Sequence, residues 1–294
     1  MSDFDAFFRL ATGQHPYDYQ RRVAHEGLPD VLQAPTGAGK TAAIAVAWLW
    51  RRHRHPDSSV RNATPRRLVL ALPMRVLVDQ VAGVIGEWLD ASGLATAVDV
   101  HVLMGGQLGS QHAWRTDMHR SSIVVGTSDI VVSKLLVRAY GSSRSTYPMD
   151  FALLTNGAHV VLDEVQLAPE ATATLRQLSA FVRSFGAAEP FGVTVMSATV
   201  DDRLLDTVDR PWPGGDSLIT IGDADRSSDL ADRLAATRSI RRAETAPGDA
   251  RDLARQVLAE HRPGTRTLVV LNTVRMAVDV ARALDRARPE AEVV

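Results

Sequence analysis

The chain has no cysteine among its 294 residues, which excludes disulfides and thiolate-bound zinc. It is almost without lysine: Lys40 and Lys134 stand alone, and every other basic residue is arginine. No apolar run reaches the ~18 residues that a membrane-spanning helix needs. The opening Met1-Ser-Asp-Phe-Asp5 is acidic and lacks the basic-then-apolar layout of a secretion signal. Net charge is −1, so bulk electrostatics draws in neither nucleic acid nor an anionic membrane, and any such contact has to be a local patch. What remains, 45% apolar and 23% charged residues, is the composition of a soluble globular protein, and a cytoplasmic location without membrane partners is expected.

One of the two lysines sits in Ala34-Pro-Thr-Gly-Ala-Gly-Lys-Thr41, between the short apolar run Asp30 to Ala34 and the long one Ala42 to Trp50. Strand, glycine-rich loop and helix in that order are the context of a phosphate-binding loop. Gly37 and Gly39 let the backbone of Thr36 to Gly39, with Ala38 between them, curl so that N–H groups converge on phosphate oxygens. The helix opening at Lys40 adds its positive end. Lys40 is expected to reach the β- and γ-phosphates of ATP, and the Thr41 hydroxyl to hold Mg²⁺. The plainer alternative is a glycine turn before a buried helix, and Ala34 replaces the glycine of the strict pattern.

Further runs read as buried strands of an α/β fold with a mostly parallel sheet: Arg67 to Pro73, Asp99 to Met104, Ser122 to Val125, Ala158 to Leu162 and Phe191 to Met196. Each leads into small or polar residues and then a helix, and in open α/β sheets the carboxyl ends of the strands form the ligand crevice. Pro73, Arg75, Gly105, Gly106, Gly126 and Thr127 are therefore expected in loops on the edge that carries the phosphate loop. Small residues there let a sugar-phosphate chain approach, although ordinary turn chemistry explains any one of them. Arg51 to His55 reads as a solvated helix end, or less readily as a nucleic-acid contact. Tyr140 to Thr155 reads as a polar insertion: Arg138, Arg144, Tyr140 and Tyr147 either touch phosphates and bases or lie on a surface loop.

The partner of the phosphate loop is Ala158-His-Val-Val-Leu-Asp163-Glu164-Val-Gln166. Two carboxylates at the end of an apolar strand are costly unless something uses them. Asp163 is expected to complete the Mg²⁺ shell and Glu164 to orient or deprotonate the attacking water. Gln166, also counted with the nucleotide site, and the hydroxyls of Ser197 and Thr199 after the next strand are expected to couple nucleotide state to the rest of the protein. Residues 208–247 read as a connector with one strand at Ser217 to Ile221. A second α/β unit begins at 248, with a strand at Arg266 to Leu271 and a helix from Val274.

Taken together, Gln20, Ala34 to Thr41, Pro73 to Arg75, Gly105-Gly106, Gly126-Thr127, Asp163 to Gln166, Ser197 to Thr199 and Asn272-Thr273 follow the order of the superfamily 2 helicase motifs. The segment Gly126 to Leu167 resembles the CRISPR-associated helicase-nuclease of type I interference systems, and Ala11 to Tyr17 resembles the subtype in which the helicase precedes its HD nuclease. The resemblance implies a RecA-like ATP-binding domain (1–207), the connector (208–247) and the start of a second RecA-like domain (248–294). It further implies that Lys40, Asp163 and Glu164 carry ATP hydrolysis, that Gln20 reads adenine with Tyr17 or Tyr19 stacking nearby, and that the loops at Pro73, Gly105 and Gly126 bind single-stranded DNA. The implied partner is an RNA-guided surveillance complex of CRISPR antiviral defence. The family's later motifs, its arginine finger among them, lie beyond Val294, and no His-Asp dipeptide occurs, so residues 1–294 are expected to bind ATP weakly and hydrolyse it poorly. Other superfamily 2 DNA or RNA helicases, and an ATP-binding module inactive by itself, are the alternatives.

Overall fold

A computed structural model describes residues 3–104, 114–138, 143–226, 230–235 and 249–287. Seven strands form one wholly parallel sheet: β1 (Val31–Gln33), β2 (Arg67–Leu72), β3 (Val98–Leu103), β4 (Ser121–Thr127), β5 (Ala158–Leu162), β6 (Phe191–Ser197) and β7 (Leu218–Thr220). Their order across the sheet is β3-β4-β2-β5-β6-β1-β7. The principal helices before β7 are α1 (Asp3–Thr12), α2 (Asp18–Glu26), α3 (Lys40–His53), α4 (Ser58–Ala63), α5 (Arg75–Ala91), α6 (Ser128–Leu135), α7 (Tyr147–Thr155) and α8 (Pro169–Phe185). The expected α/β architecture is present.

Alternation along each strand divides the core into two layers. Leu68, Leu70 and Leu72 of β2 join Leu32, Ile123, Val125 and Met196 beneath α1, α2, α3 and α5. Val69 and Ala71 join Val31, Val124, Val160, Leu162 and Val195 on the face covered by α6, α7 and α8. Helix α3 lies in the first layer with every residue from Ala43 to Trp50 buried, as its apolar circumference requires. The arginines at its end are not simply solvated. Arg51 donates to Ala24 O at 2.6 Å, Arg52 to Arg61 O at 2.8 Å and Arg54 to Ser92 O at 3.2 Å, so they satisfy carbonyls that would otherwise lack donors.

Three readings from the sequence are corrected. The strand expected within the 208–247 connector is present as β7, but it pairs in parallel with β1 (Val31↔Leu218), so this part of the connector belongs to the sheet, and the compact units are Met1–Ala236 and Thr237–Val294. The supposed polar insertion contains α7, whose Leu153 and Leu154 are buried and whose Asp150 is fully enclosed. Asp150 accepts from Arg115 Nη2 at 2.7 Å and Lys134 Nζ at 2.8 Å, so the second lysine of the chain is an internal ion-pair partner. In the second unit, Ala250–Glu260 and Val274–Ala287 are helices, but Arg266 to Leu271 forms no strand. A parallel strand takes its hydrogen bonds from neighbours, and Leu268 and Val270 are 87% and 81% exposed.

Two close approaches in the sheet yield predictions. Gly126 lies within β4, and a Cβ there would stand 2.9 Å from Leu103 O and 3.1 Å from Leu103 Cβ. Gly126→Ala is expected to destabilise the chain by about 1–3 kcal/mol, measured as a lower urea midpoint. His159 of β5 is enclosed, with Nε2 2.7 Å from Thr194 Oγ1. The Thr194 hydroxyl proton goes to Pro29 O, so His159 Nε2–H must donate, and the other ring nitrogen abuts Gly192. Burial pushes the imidazole down to about 4, against a smaller upward pull from Asp30. The unfolded chain therefore binds a proton between pH 6.5 and 4 that the folded chain refuses, and stability falls as pH falls through that window, by up to roughly 3 kcal/mol. His159→Gln is expected to flatten this loss when urea midpoints at pH 7 and pH 5 are compared with those of the unsubstituted chain.

Candidate nucleotide site

The sheet order brings together segments that are far apart in the chain. β6 lies between β5 and β1, with Gln33 level with Ser197 and Leu162 level with Val195. The turns after these three strands, at Ala34, Asp163 and Ser197, therefore share one edge. Ala34 N donates to Ser197 O at 3.1 Å, and Asp163 N to Ala71 O at 3.0 Å. Gly37 and Gly39 have φ of 81° and 84°, the left-handed region that a side chain disfavours. A Cβ on Gly39 would also stand 2.9 Å from Gln20 Nε2.

Lys40 is buried and folded back on its loop. Its Nζ donates to Ala34 O at 3.2 Å and pairs with Glu164 Oε1 at 3.3 Å. Glu164 Oε2 accepts from Gln166 Nε2 at 2.6 Å, and Gln166 Oε1 accepts from Ser197 Oγ at 2.8 Å. Thr199 N donates to Ser197 Oγ at 3.1 Å. A continuous polar chain thus runs Lys40–Glu164–Gln166–Ser197–Thr199. Glu164 itself has φ of 50°, uncommon for a residue other than glycine, and its N–H donates to Asp163 Oδ1 at 2.9 Å. Burial, and then the neighbouring Glu164 charge, push the Asp163 carboxyl up to about 6, while Lys40 and the Glu164 N–H pull it down. Two adjacent, partly enclosed carboxylates beside Lys40 fit a divalent cation, which would relieve both charges. Among the described residues no cluster of three or more His, Cys, Asp or Glu side chains could hold a metal alone, so Asp163 and Thr41 would need phosphate oxygens to complete a shell.

Beside the loop lies a cavity of about 210 Å³ whose lining includes Phe8, Tyr17, Gln20, Gly37, Gly39 and Trp88. Gln20 Oε1 accepts from Tyr17 N at 2.9 Å, and Nε2 donates to Gly39 O at 3.2 Å and to Tyr19 Oη at 3.4 Å, which leaves the amide one lone pair on Oε1. Of the two tyrosines considered for stacking, Tyr17 lines the cavity. Tyr19 is wholly buried and donates its hydroxyl to Ala38 O at 2.6 Å, and burial raises its pKa further above the ordinary range. The walls from α1 and from Trp88 of α5 had no signal in the sequence, because nothing in either helix pattern says which neighbour it meets.

Pro73 is half-buried, and Arg75 is exposed at the start of α5. Gly126 and Thr127 do not form a loop: they are the last two residues of buried β4, and Gly126 is small because β3 presses against it. Gly105, Gly106 and Tyr140 lie outside the described residues. Arg138 and Arg144 are exposed. In the second unit, Thr273 Oγ1 accepts from Met276 N at 3.3 Å. No described helix is long and apolar enough to cross a membrane.

Solved structures share this fold. The DUF1998 helicase MrfA bound to DNA and AMPPNP aligns with a TM-score of 0.59 at 16% identity, over 97% of this chain and 39% of that one. A further crystal structure of MrfA aligns at 0.57 and 16% identity, over 99% of this chain and 42% of that one. Cas3–AMPPNP of T. fusca aligns at 0.46 and 20% identity, over 67% and 23%. The chain thus spans well under half of these helicases. No curated protein sequence matches it. The DEAD/DEAH box helicase profile matches residues 17–208, from the tyrosine that borders the cavity to just beyond the Ser197–Thr199 turn, and the chain belongs to the DEAD/DEAH box helicase family.

Proposed function

We propose that this chain is the ATP-binding motor domain of a helicase that translocates on single-stranded DNA, and that it acts in CRISPR type I interference. The observation that carries the motor reading is the polar chain from Lys40 through Glu164 and Gln166 to Ser197. It joins the phosphate loop to the edge of the sheet beside a cavity large enough for a base. Thr36 to Thr41 cradle the phosphates, Lys40 leaves Glu164 for the γ-phosphate, and Gln20 takes the adenine edge. Thr41 and Asp163 would hold a Mg²⁺ ion, which would supply neutralisation of the charge that builds on the transferred phosphoryl group. Glu164, released from Lys40, accepts the proton of the attacking water. A change at Glu164 passes through Gln166 to Ser197 and Thr199. MrfA, solved with DNA, supports DNA as the track, and Arg75 with the Pro73 turn and the segment around Gly105-Gly106 are the proposed backbone contacts. The resemblance of the sequence Gly126 to Leu167 to that of the CRISPR helicase-nucleases supports the pathway.

Glu164→Gln is expected to slow single-turnover ATP hydrolysis by roughly 10²–10⁴. It should bind Mg·ATP at least as tightly as the unsubstituted chain, because the Lys40–Glu164 pair no longer competes with the nucleotide. Calorimetric titration checks the second point, and weaker binding in the variant would remove Glu164 from the assigned role. Single-stranded DNA is expected to raise hydrolysis and RNA of the same length to leave it unchanged. Stimulation by RNA instead would replace the DNA track with an RNA one.

A further inference from the structure

The first turn of α2 carries both Tyr19 and Gln20, and its own N-cap side chain is a tyrosine, which makes no capping bond to it. The acceptor comes from 206 residues away. Asp225, wholly buried, takes the Tyr19 N–H on Oδ1 at 2.9 Å. Its Oδ2 takes the Gly222 N–H at 2.9 Å and lies 3.8 Å from Arg22 Nη2. Arg22 also hydrogen-bonds Thr220 O at the end of β7, and its Nε lies 3.4 Å from Asp18 Oδ2. A carboxylate placed at orphan N–H groups and at the positive end of a helix stabilises that end.

From this turn two bonds reach the phosphate loop, Tyr19 Oη to Ala38 O at 2.6 Å and Gln20 Nε2 to Gly39 O at 3.2 Å. Tyr17 and Gln20 also wall the cavity. Asp225 lies on the stretch that leaves β7, the strand beside β1. We infer that Asp225 is a positioning residue for base recognition: it pins the first turn of α2 so that Gln20 and Tyr17 hold the nucleotide base against the phosphate loop. The inference rests on the ATP reading above. It assigns the fidelity of base recognition to a residue that touches neither base nor phosphate, on the segment that follows the last strand of the sheet.

The test is the ratio of Mg·ATP to Mg·GTP affinity, by calorimetry, in the unsubstituted chain, Asp225→Ala, Asp225→Asn and Lys40→Ala. Asp225→Ala is expected to weaken ATP about fivefold, the effect of a lost helix cap, and to change GTP less than about twofold on the same scale, so the ratio collapses. Lys40→Ala should weaken both nucleotides together. Asp225→Asn keeps one acceptor oxygen of two and is expected to fall between; it carries the test if the alanine variant fails to fold. An unchanged ratio in the folded Asp225 variants, or equal loss of ATP and GTP, overturns the positioning role and leaves the ATP reading standing. An unsubstituted chain that binds neither nucleotide overturns both.

Discussion

A half-enclosed ion pair between Lys40 and Glu164 is the constraint on which the rest of the site depends. A buried lysine needs an acceptor, and a partly enclosed carboxylate is stabilised by a donor. Each has one local hydrogen bond, Lys40 to Ala34 O and Gln166 to Glu164, but the opposite charge lies 124 positions away. The sheet has to place β6 between β5 and β1 with their ends level, and the two loop glycines have to take left-handed backbone. On the proposed function, an incoming phosphate would take Glu164's place beside Lys40.

The electrostatics follow from that pairing. Asp163 is pushed up because it is buried and because Glu164 is next to it, and the one nearby cation is shared with Glu164. A site with an excess of carboxylate over lysine is suited to a nucleotide arriving with its own divalent cation. The bonds from Glu164 through Gln166 to Ser197 are continuous, so on the proposed function displacement of Lys40 would be felt at the end of β6 as a change in hydrogen bonding.

A second support acts at the other end of the cavity. Helix α2 is fixed by Asp225 and Arg22 on its outer side and by Tyr19 and Gln20 on the side of the phosphate loop. The reading of 208–247 as a connector missed this, because Pro, Gly and Asp occur in a tightly bonded edge as well as in a linker. The same difficulty hid α7: Asp150 looks like a surface residue in sequence and becomes internal only once Arg115 and Lys134 are brought to it. Gly126 carried the opposite error. Its small side was taken as an opening for a ligand, whereas it faces the backbone of the adjacent strand.

By itself the sequence determined the strand–loop–helix unit at Ala34 to Thr41, the buried α3, the apolar strands and the Asp-Glu turn at the end of β5. Each of these is a local pattern, set by hydrophobic period and by glycine at backbone positions few other residues adopt. Tertiary structure alone decided which strands are neighbours, and therefore that Lys40 meets Glu164, that Ser197 meets Gln166, that Trp88 closes the cavity and that Asp225 caps α2. Those contacts join residues whose separation along the chain carries no periodic signal. They arise only when the parallel crossovers bring the carboxyl ends of the strands to one edge.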